Sequence, residues 1–583
     1  MCASPLDPGR GYRYGGLQQA YAAVALVTAA VAGDRVVVDM LDHNRSIAIV
    51  ARNSKWSLIA FAISVLSNLI LLPYVVRLIG IRQFGICGLL ISVSTPLSLI
   101  GGILGQTACQ AVARNRASND GQATHDACAT VTAFGALCIS AGAVLLLCLI
   151  PIISRQVLLG DSPTIESISV VTLLLVTGWT AQQASLIMQG IHVACMAYRR
   201  IATINAISAV FNIAFTAAGV AIFPSVTGYL GALCAVQAAT CLVWFASILL
   251  SFRWCLVKPA FVKAGRESIF AFSGWLTVSQ VVAGLSSQAD KYMLGASKGS
   301  IAVGYFNIAL RVEEAAYSVM VRASDSLFPY FSSMTGDGQR PNAQFYFSVS
   351  WLVNLAAVAV IAPLIPWAPS IVAVWVDAHT AASAGGVLRV LAVAGLLGCA
   401  SHVFKQYMLG ARMTRQLAVV TIVSGSLAGL TAFLLVPQFG LRAAGFGAAA
   451  AAALQLGIVI HLVRRQFGEL ATFSKILHST IIPVSGALAI AGLMTWFGFA
   501  GLHTWPRLIG AYVATGAGIM LVILMTNALS QEGRSLLTDL RTLASLVRGG
   551  FTVSGERGSN TPSAATPASE TDAVQGVDLT PPV

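Results

Sequence analysis

The apolar residues of this chain fall in long unbroken runs and do not alternate or keep to a narrow helical stripe. Asp, Glu, Lys and Arg are missing from eleven stretches of at least 21 residues: 56–76, 83–113, 127–154, 167–198, 201–252, 268–289, 341–376, 416–441, 443–463, 476–506 and 508–531. A hydrocarbon layer about 30 Å thick is crossed by roughly 20 helical residues. Lipid offers the backbone no hydrogen bonds, so each crossing must be a helix that satisfies itself. The longest run, 201–252, is interrupted by Phe223-Pro224-Ser225-Val226-Thr227-Gly228 and therefore holds two spans. Two further apolar segments carry charges, Gly304 to about Phe331 and Val387 to about Leu409. With them the pattern predicts an all-α polytopic membrane protein of fourteen transmembrane helices.

Composition agrees with the pattern: 56% of residues are apolar and 10% charged, against about 25% charged in soluble domains. Soluble enzymes and nucleic-acid binders are excluded as readings. The net charge of +13, from 35 basic and 22 acidic residues, is explained by placement. An even number of spans puts both termini on one side, and twenty basic residues from position 45 onward then flank the inner ends against six at the outer ends. The positive-inside rule makes the N-terminal side cytoplasmic, and the expected location is the cytoplasmic (inner) membrane. Eleven cysteines lack any C-x-x-C spacing and read as small buried apolar groups, without disulfide or metal. The sequence has no phosphate-binding G-x-x-x-x-G-K-[ST] loop. The chain is expected to be no enzyme and to need no cofactor, and an ion gradient, the membrane potential or the substrate gradient would drive it.

The chain divides into a polar, disordered cytoplasmic lead-in at 1–53, six spans at 54–266, six at 267–466, two at 467–531, and an interfacial helix with a disordered tail at 532–583. Tyr21–Ala32 is too short to span and lacks the early basic region of a secretion signal. Met40 is an alternative translational start. Leu536, Leu540, Leu543 and Val547 share a helical face suited to the inner membrane surface. Pro224 with Gly228 recurs as Pro437 with Gly440 at an offset of 213, Leu78-Ile79-Gly80 resembles Met293-Leu294-Gly295 at 215, and Gly190 is echoed by Gly410 at 220. These echoes predict two pseudo-symmetric six-helix lobes related by an axis along the membrane normal.

Charges at membrane depth cost at least about 2.5–3.5 kcal/mol each and usually face a cavity or one another. In the eighth span Arg311, Glu314, Ser318, Arg322 and Asp325 follow at spacings of three and four, on one stripe of the helix. Either the stripe glues the lobes together through Arg311–Glu314 and Arg322–Asp325 pairs, or it lines a wet cavity where arginine forks hold phosphate. Glu313 makes the span net acidic, which also suits a coupling proton or sodium ion. Asp290-Lys291 closes the seventh span as a salt bridge or a cavity wall. Arg389 and Lys405 are expected to snorkel to the interfaces. Asn68, Asn205, Asn212, Gln182, Gln183 and Gln280 read first as interhelical hydrogen-bond partners, with Asn68 also a candidate for the cavity wall.

The residues from Gln288 to Met334 resemble the polysaccharide-export, Wzx-type flippase family of the multidrug/oligosaccharidyl-lipid/polysaccharide (MOP) exporter superfamily. The resemblance is carried by Asp290-Lys291, Leu294-Gly295, Val303-Gly304-Tyr305-Phe306 and Phe328-Pro329, and by the hairpins at Pro224 and Pro437. It extends over roughly Trp56 to Arg464. It implies a flippase for a polyprenyl-diphosphate-linked oligosaccharide in polysaccharide, lipopolysaccharide or O-antigen assembly, working by alternating access alongside other membrane proteins of that assembly. The implied cavity is lined by spans one, two, seven and eight, with Arg311 and Arg322 as phosphate partners and Glu314 and Asp325 orienting them or carrying a coupling proton. The two additional C-terminal spans resemble the lipid II flippases. Alternatives are a cation-coupled multidrug antiporter of the same fold and a membrane glycan polymerase or ligase. The antiporter is opposed by the lack of acidic residues within the first six spans, the enzyme by the short outer connections.

Overall fold

The computed structural model describes residues 43–117, 121–157, 168–252, 259–324, 343–498 and 502–536, apart from 196, 253–258, 262, 412, 499–501 and 503, together with 327 and 331. All regular structure among these residues is helical: α1 (His43–Ala117), α2 (Gly121–Val157), α3 (Ile168–Ala194), α4 (Tyr198–Ile222), α5 (Val226–Ser251), α6 (Lys263–Lys298), α7 (Ser300–Ser324), α8 (Ala343–Ile361), α9 (Leu364–Trp375), α10 (Ala378–Ala400), α11 (His402–Gly410), α12 (Thr414–Phe439), α13 (Phe446–Phe467), α14 (Phe473–Ile476), α15 (Ile482–Trp496) and α16 (Trp505–Ala528). A π-helical turn, Leu477–Ile481, joins α14 to α15. Eleven segments among the described residues are long and apolar enough to cross a membrane, and the protein is a multi-pass membrane protein. The helix α1 begins at His43, within the segment expected to be a disordered lead-in. Leu536, expected on a membrane-surface face, is buried in the helical core, and the rest of that face lies outside the described residues.

The 75-residue α1 is interrupted at Gly80, whose φ of 78° and ψ of 159° are not helical. On one side of that glycine Asn68 shares a cavity with Arg311; on the other Gly88 packs against Asn307. Twenty residues of straight helix span about 30 Å, whereas four residues span about 6 Å. Positions 68 and 88 can therefore meet positions 311 and 307 only if the chain folds back at Gly80, giving α1 two arms. A second positive-φ glycine, Gly299 (φ 79°), makes the equally short turn between α6 and α7.

These two turns are mirror partners. A side chain at Gly85 would collide with the carbonyl of Ser300, and one at Gly304 would sit 2.5 Å from the carbonyl of Ile81. Each contact maps onto the other by a shift of 219 residues. The structural counterpart of Gly80 is thus Gly299 and not Gly295, which lies inside α6. Sequence comparison missed this register because the glycine that turns the chain and the glycine that resembles it are four residues apart.

Prolines inside the helices explain a second set of contacts. A proline lacks the amide that would bond the carbonyl four residues before it, and in a bilayer that carbonyl must find another donor. The orphan of Pro73 is Leu69, whose oxygen accepts from Trp375 Nε1 at 2.8 Å; that of Pro96 is Ser92, which accepts from the Tyr292 hydroxyl at 2.8 Å. Pro369 frees Ile365, which accepts from Arg389 Nε at 3.2 Å. Pro483 frees Ser479, which accepts from Asn354 Nδ2 at 2.9 Å. Arg389 is therefore the donor to a proline-freed carbonyl and does not simply snorkel to the interface. Asn354→Leu leaves the buried Ser479 carbonyl orphaned and is expected to cost about 1–2 kcal/mol, read as a lowered Tm in detergent. An unchanged Tm would mean that carbonyl has another donor.

The apolar clusters show where the molecule is closed. One continuous cluster near Gly80 and Gly299 joins residues on both sides of the chain's midpoint, including Ile86, Leu90, Leu230, Val303, Phe306, Leu388 and Val436. At the opposite end the clusters separate. Val112, Val131 and Ile248 lie in one, Ile204 and Trp244 in another, while Phe331, Phe347, Phe404 and Val463 belong to a third. Among the described residues, the apolar packing of the two halves is thus continuous at the Gly80 end and divided at the other. The helices α15 and α16 dock on the second half, where Trp367 Nε1 donates to Thr515 Oγ1 at 2.9 Å and the Tyr512 hydroxyl donates to the Val360 carbonyl.

Candidate functional site

A cavity of about 250 Å³ opens where the halves begin to part, between the first arm of α1 and α7. Val65, Asn68 and Leu69 line one wall; Arg311, Glu314 and Ser318 line the other. The three polar residues of α7 reach it together because steps of three and four residues return to the same helical face. Arg311 Nη1 donates to Glu314 Oε2 at 3.0 Å, and the two side chains remain 53% and 47% exposed. A pair gluing two helices would be hidden between them; this one borders open space. So exposed, it contributes little to stability, and the guanidinium keeps free N–H groups for an incoming oxyanion.

The neighbouring second-half groups are basic on balance. Lys291, buried on α6, lies within electrostatic reach of both Arg311 and Glu314. Glu313 sits on the far side of α7 against Gly395 of α10, with its Oε1 2.5 Å from where a Cβ there would stand. That carboxylate therefore does not offset the cavity's positive charge. Asp290 is also absent from the cavity wall. Its Oδ2 accepts from the Gly445 amide at 3.2 Å, where Gly445 with φ 92° begins α13. A carboxylate there satisfies an amide at the start of the helix and complements the helix dipole.

Among the described residues, the first half contributes no ionisable group to this cavity. Asn68 Nδ2 donates to the Ser64 carbonyl at 2.9 Å, and its Oδ1 accepts from Asn212 Nδ2 at 3.3 Å. Asn212 belongs to α4, and its own Oδ1 accepts from Thr216 Oγ1 at 3.4 Å. Sequence reading singled out Asn68 for the site but kept Asn212 as an interhelical partner and did not name Thr216. The signal available was the spacing of Asn205, Ser208, Asn212 and Thr216 along one stripe. Of the other expected site residues, Ser318 is in place, with its hydroxyl donating to Ala315 O at 2.8 Å. The side chain of Arg322 and all of Asp325 lie outside the described residues.

Residues 50–335 match a family model described as a polysaccharide biosynthesis protein. Among solved structures, the chain is similar to a lipid II flippase, MurJ, in an inward closed conformation, at 11% identity and a TM-score of 0.62, covering 81% of this chain and 98% of that one. It is also similar to an inward-facing multidrug resistance MATE family transporter of the MOP superfamily at 16% identity and a TM-score of 0.58, covering 70% and 96%. An outward-facing structure of such a transporter matches at 16% identity and a TM-score of 0.54, covering 77% and 98%. No curated protein sequence matches the chain.

Proposed function

We propose that this chain is a MOP-superfamily flippase carrying a polyprenyl-diphosphate-linked oligosaccharide from the cytoplasmic to the outer leaflet, a reading supported by the polysaccharide biosynthesis family match over residues 50–335. The observation that carries this reading is the half-exposed Arg311–Glu314 pair in a cavity between the two halves. A guanidinium fork with the Lys291 ammonium behind it suits a diphosphate, and Glu314 holds Arg311 in place while the cavity is empty. The volume is below the ~300–1,000 Å³ of ordinary ligand clefts. This favours a cavity that holds the charged head next to the lipid, with the glycan extending toward the end where the halves part.

The excess of basic residues at the inner ends supports a cytoplasmic position for that parted end and hence an inward-facing state. Fourteen spans in two six-helix lobes plus two additional helices fit the mirrored turns at Gly80 and Gly299 and the docking of α15 and α16 on one half. Outward movement of a diphosphate is favoured by an inside-negative potential by about 2.3 kcal/mol per charge per 100 mV. The protein then needs no catalysis of its own, and a proton on Glu314 is the coupling-ion alternative. Deleting the gene tests the reading. Lipid-linked oligosaccharide is expected to accumulate on the cytoplasmic leaflet and surface glycan to fall. Normal surface glycan with raised drug sensitivity would replace the flippase with a cation-coupled antiporter.

A further inference from the structure

The two walls of the cavity differ in kind. Among the described residues, all its charge comes from the second half, through Arg311, Glu314 and, behind them, Lys291. The first-half wall is made from α1 and α4, whose facing segments run without Asp, Glu, Lys or Arg from Trp56 to Val76 and from Ile201 to Ile222. What that wall offers is a fixed chain of hydrogen-bonding groups, Thr216 to Asn212 to Asn68.

A carboxamide has two N–H donors and an oxygen with two lone pairs. In Asn68 one N–H is held by Ser64 and one lone pair by Asn212; in Asn212 one N–H is spent on Asn68 and one lone pair on Thr216. Each keeps one donor and one acceptor, and Asn68 is exposed on the cavity wall while Asn212 is half-buried behind it. An oxyanion would use only the free donors of such a wall and would face its carboxamide oxygens. Adjacent hydroxyls of a sugar, each both donor and acceptor, match it one for one.

We propose that Asn68 and Asn212 form a neutral-sugar subsite that reads the hydroxyls of the first sugar of the cargo, with Thr216 positioning Asn212, while Arg311 across the cavity takes the diphosphate. This rests on the flippase reading and adds a division of labour to it: charge is recognised by the second half, sugar by the first. The substrate class is a glycan whose lipid-proximal residue is uncharged. Because the two recognition elements sit on opposite halves, only cargo bearing both groups bridges them.

The test uses the full-length protein in detergent and two lipids. One is the polyprenyl-diphosphate-linked oligosaccharide pool extracted from cells lacking this gene; the other is polyprenyl diphosphate without sugar. The wild type is expected to bind the glycosylated lipid at least tenfold more tightly. Asn212→Leu and Asn68→Leu should each lower binding of the glycosylated lipid about tenfold and leave the bare lipid unchanged, with Thr216→Val showing a smaller loss of the same kind. Arg311→Gln should weaken both lipids alike. Equal binding of the two lipids by the wild type, or loss of both lipids in the asparagine variants, would overturn the subsite and leave the flippase reading standing. Failure of the wild type to bind either lipid would remove that reading itself. Thr216→Val is close in shape to the native residue, so it keeps the comparison decisive if a leucine variant does not fold.

Discussion

Replacing Tyr292 and Trp375 together by phenylalanine is expected to open the Gly80 end of the protein. Their ring donors hold two carbonyls, Ser92 and Leu69, which Pro96 and Pro73 deprive of their helical partners. Both bonds run from the second half to the first, so they exist only while that end is closed. Phenylalanine removes both donors, keeping the ring at 292 and putting a smaller one in place of the indole at 375. Each loss weakens the closed arrangement by about 1 kcal/mol, and together they shift the ratio of closed to open states by roughly thirtyfold. Spin labels at Phe223 and Phe439, exposed near that end in opposite halves, should report a new population at longer distance. An unaltered distance distribution would show that the closed seam is held by packing alone.

Arg311→Ala is expected to reduce export at least thirtyfold with the protein still inserted at wild-type levels. The figure follows from the roughly 2–5 kcal/mol lost when one side of a close charge contact is truncated. Arg311→Lys should recover part of the activity, because an ammonium restores charge without the planar fork. The measurement is the fraction of lipid-linked oligosaccharide accessible from outside, with protein quantified in the same membranes. Full export by Arg311→Ala would mean that the Arg311–Glu314 pair holds helices together and takes no part in carriage.

Much of this was legible in the sequence because a bilayer imposes one rule on every span. Charge-free runs located the helices, and the spacing of Arg311, Glu314 and Ser318 located the polar face of α7. The apolar but charged segment from Gly304 was expected to be helical, and it lies in α7. What the sequence withheld was juxtaposition. The prolines at 73, 96, 369 and 483 announce which carbonyls are freed, but only packing decides that Trp375, Tyr292, Arg389 and Asn354 supply the donors. Asp290 and Glu313 carry the same charge as Glu314, and no local pattern says that one bonds Gly445 while the other faces Gly395. Asn212 belongs to the site through Asn68, a contact between residues 144 apart in sequence.

The single-glycine turns at Gly80 and Gly299 have a mechanical consequence. A connection with no slack cannot let its two helices swing independently, so each hairpin must tilt as a stiff lever. Two such levers crossing near the glycines multiply a small separation at their short ends into a wide one at the far ends. A displacement of a few ångströms at the seam would then suffice to admit or expel a bulky headgroup on the other side.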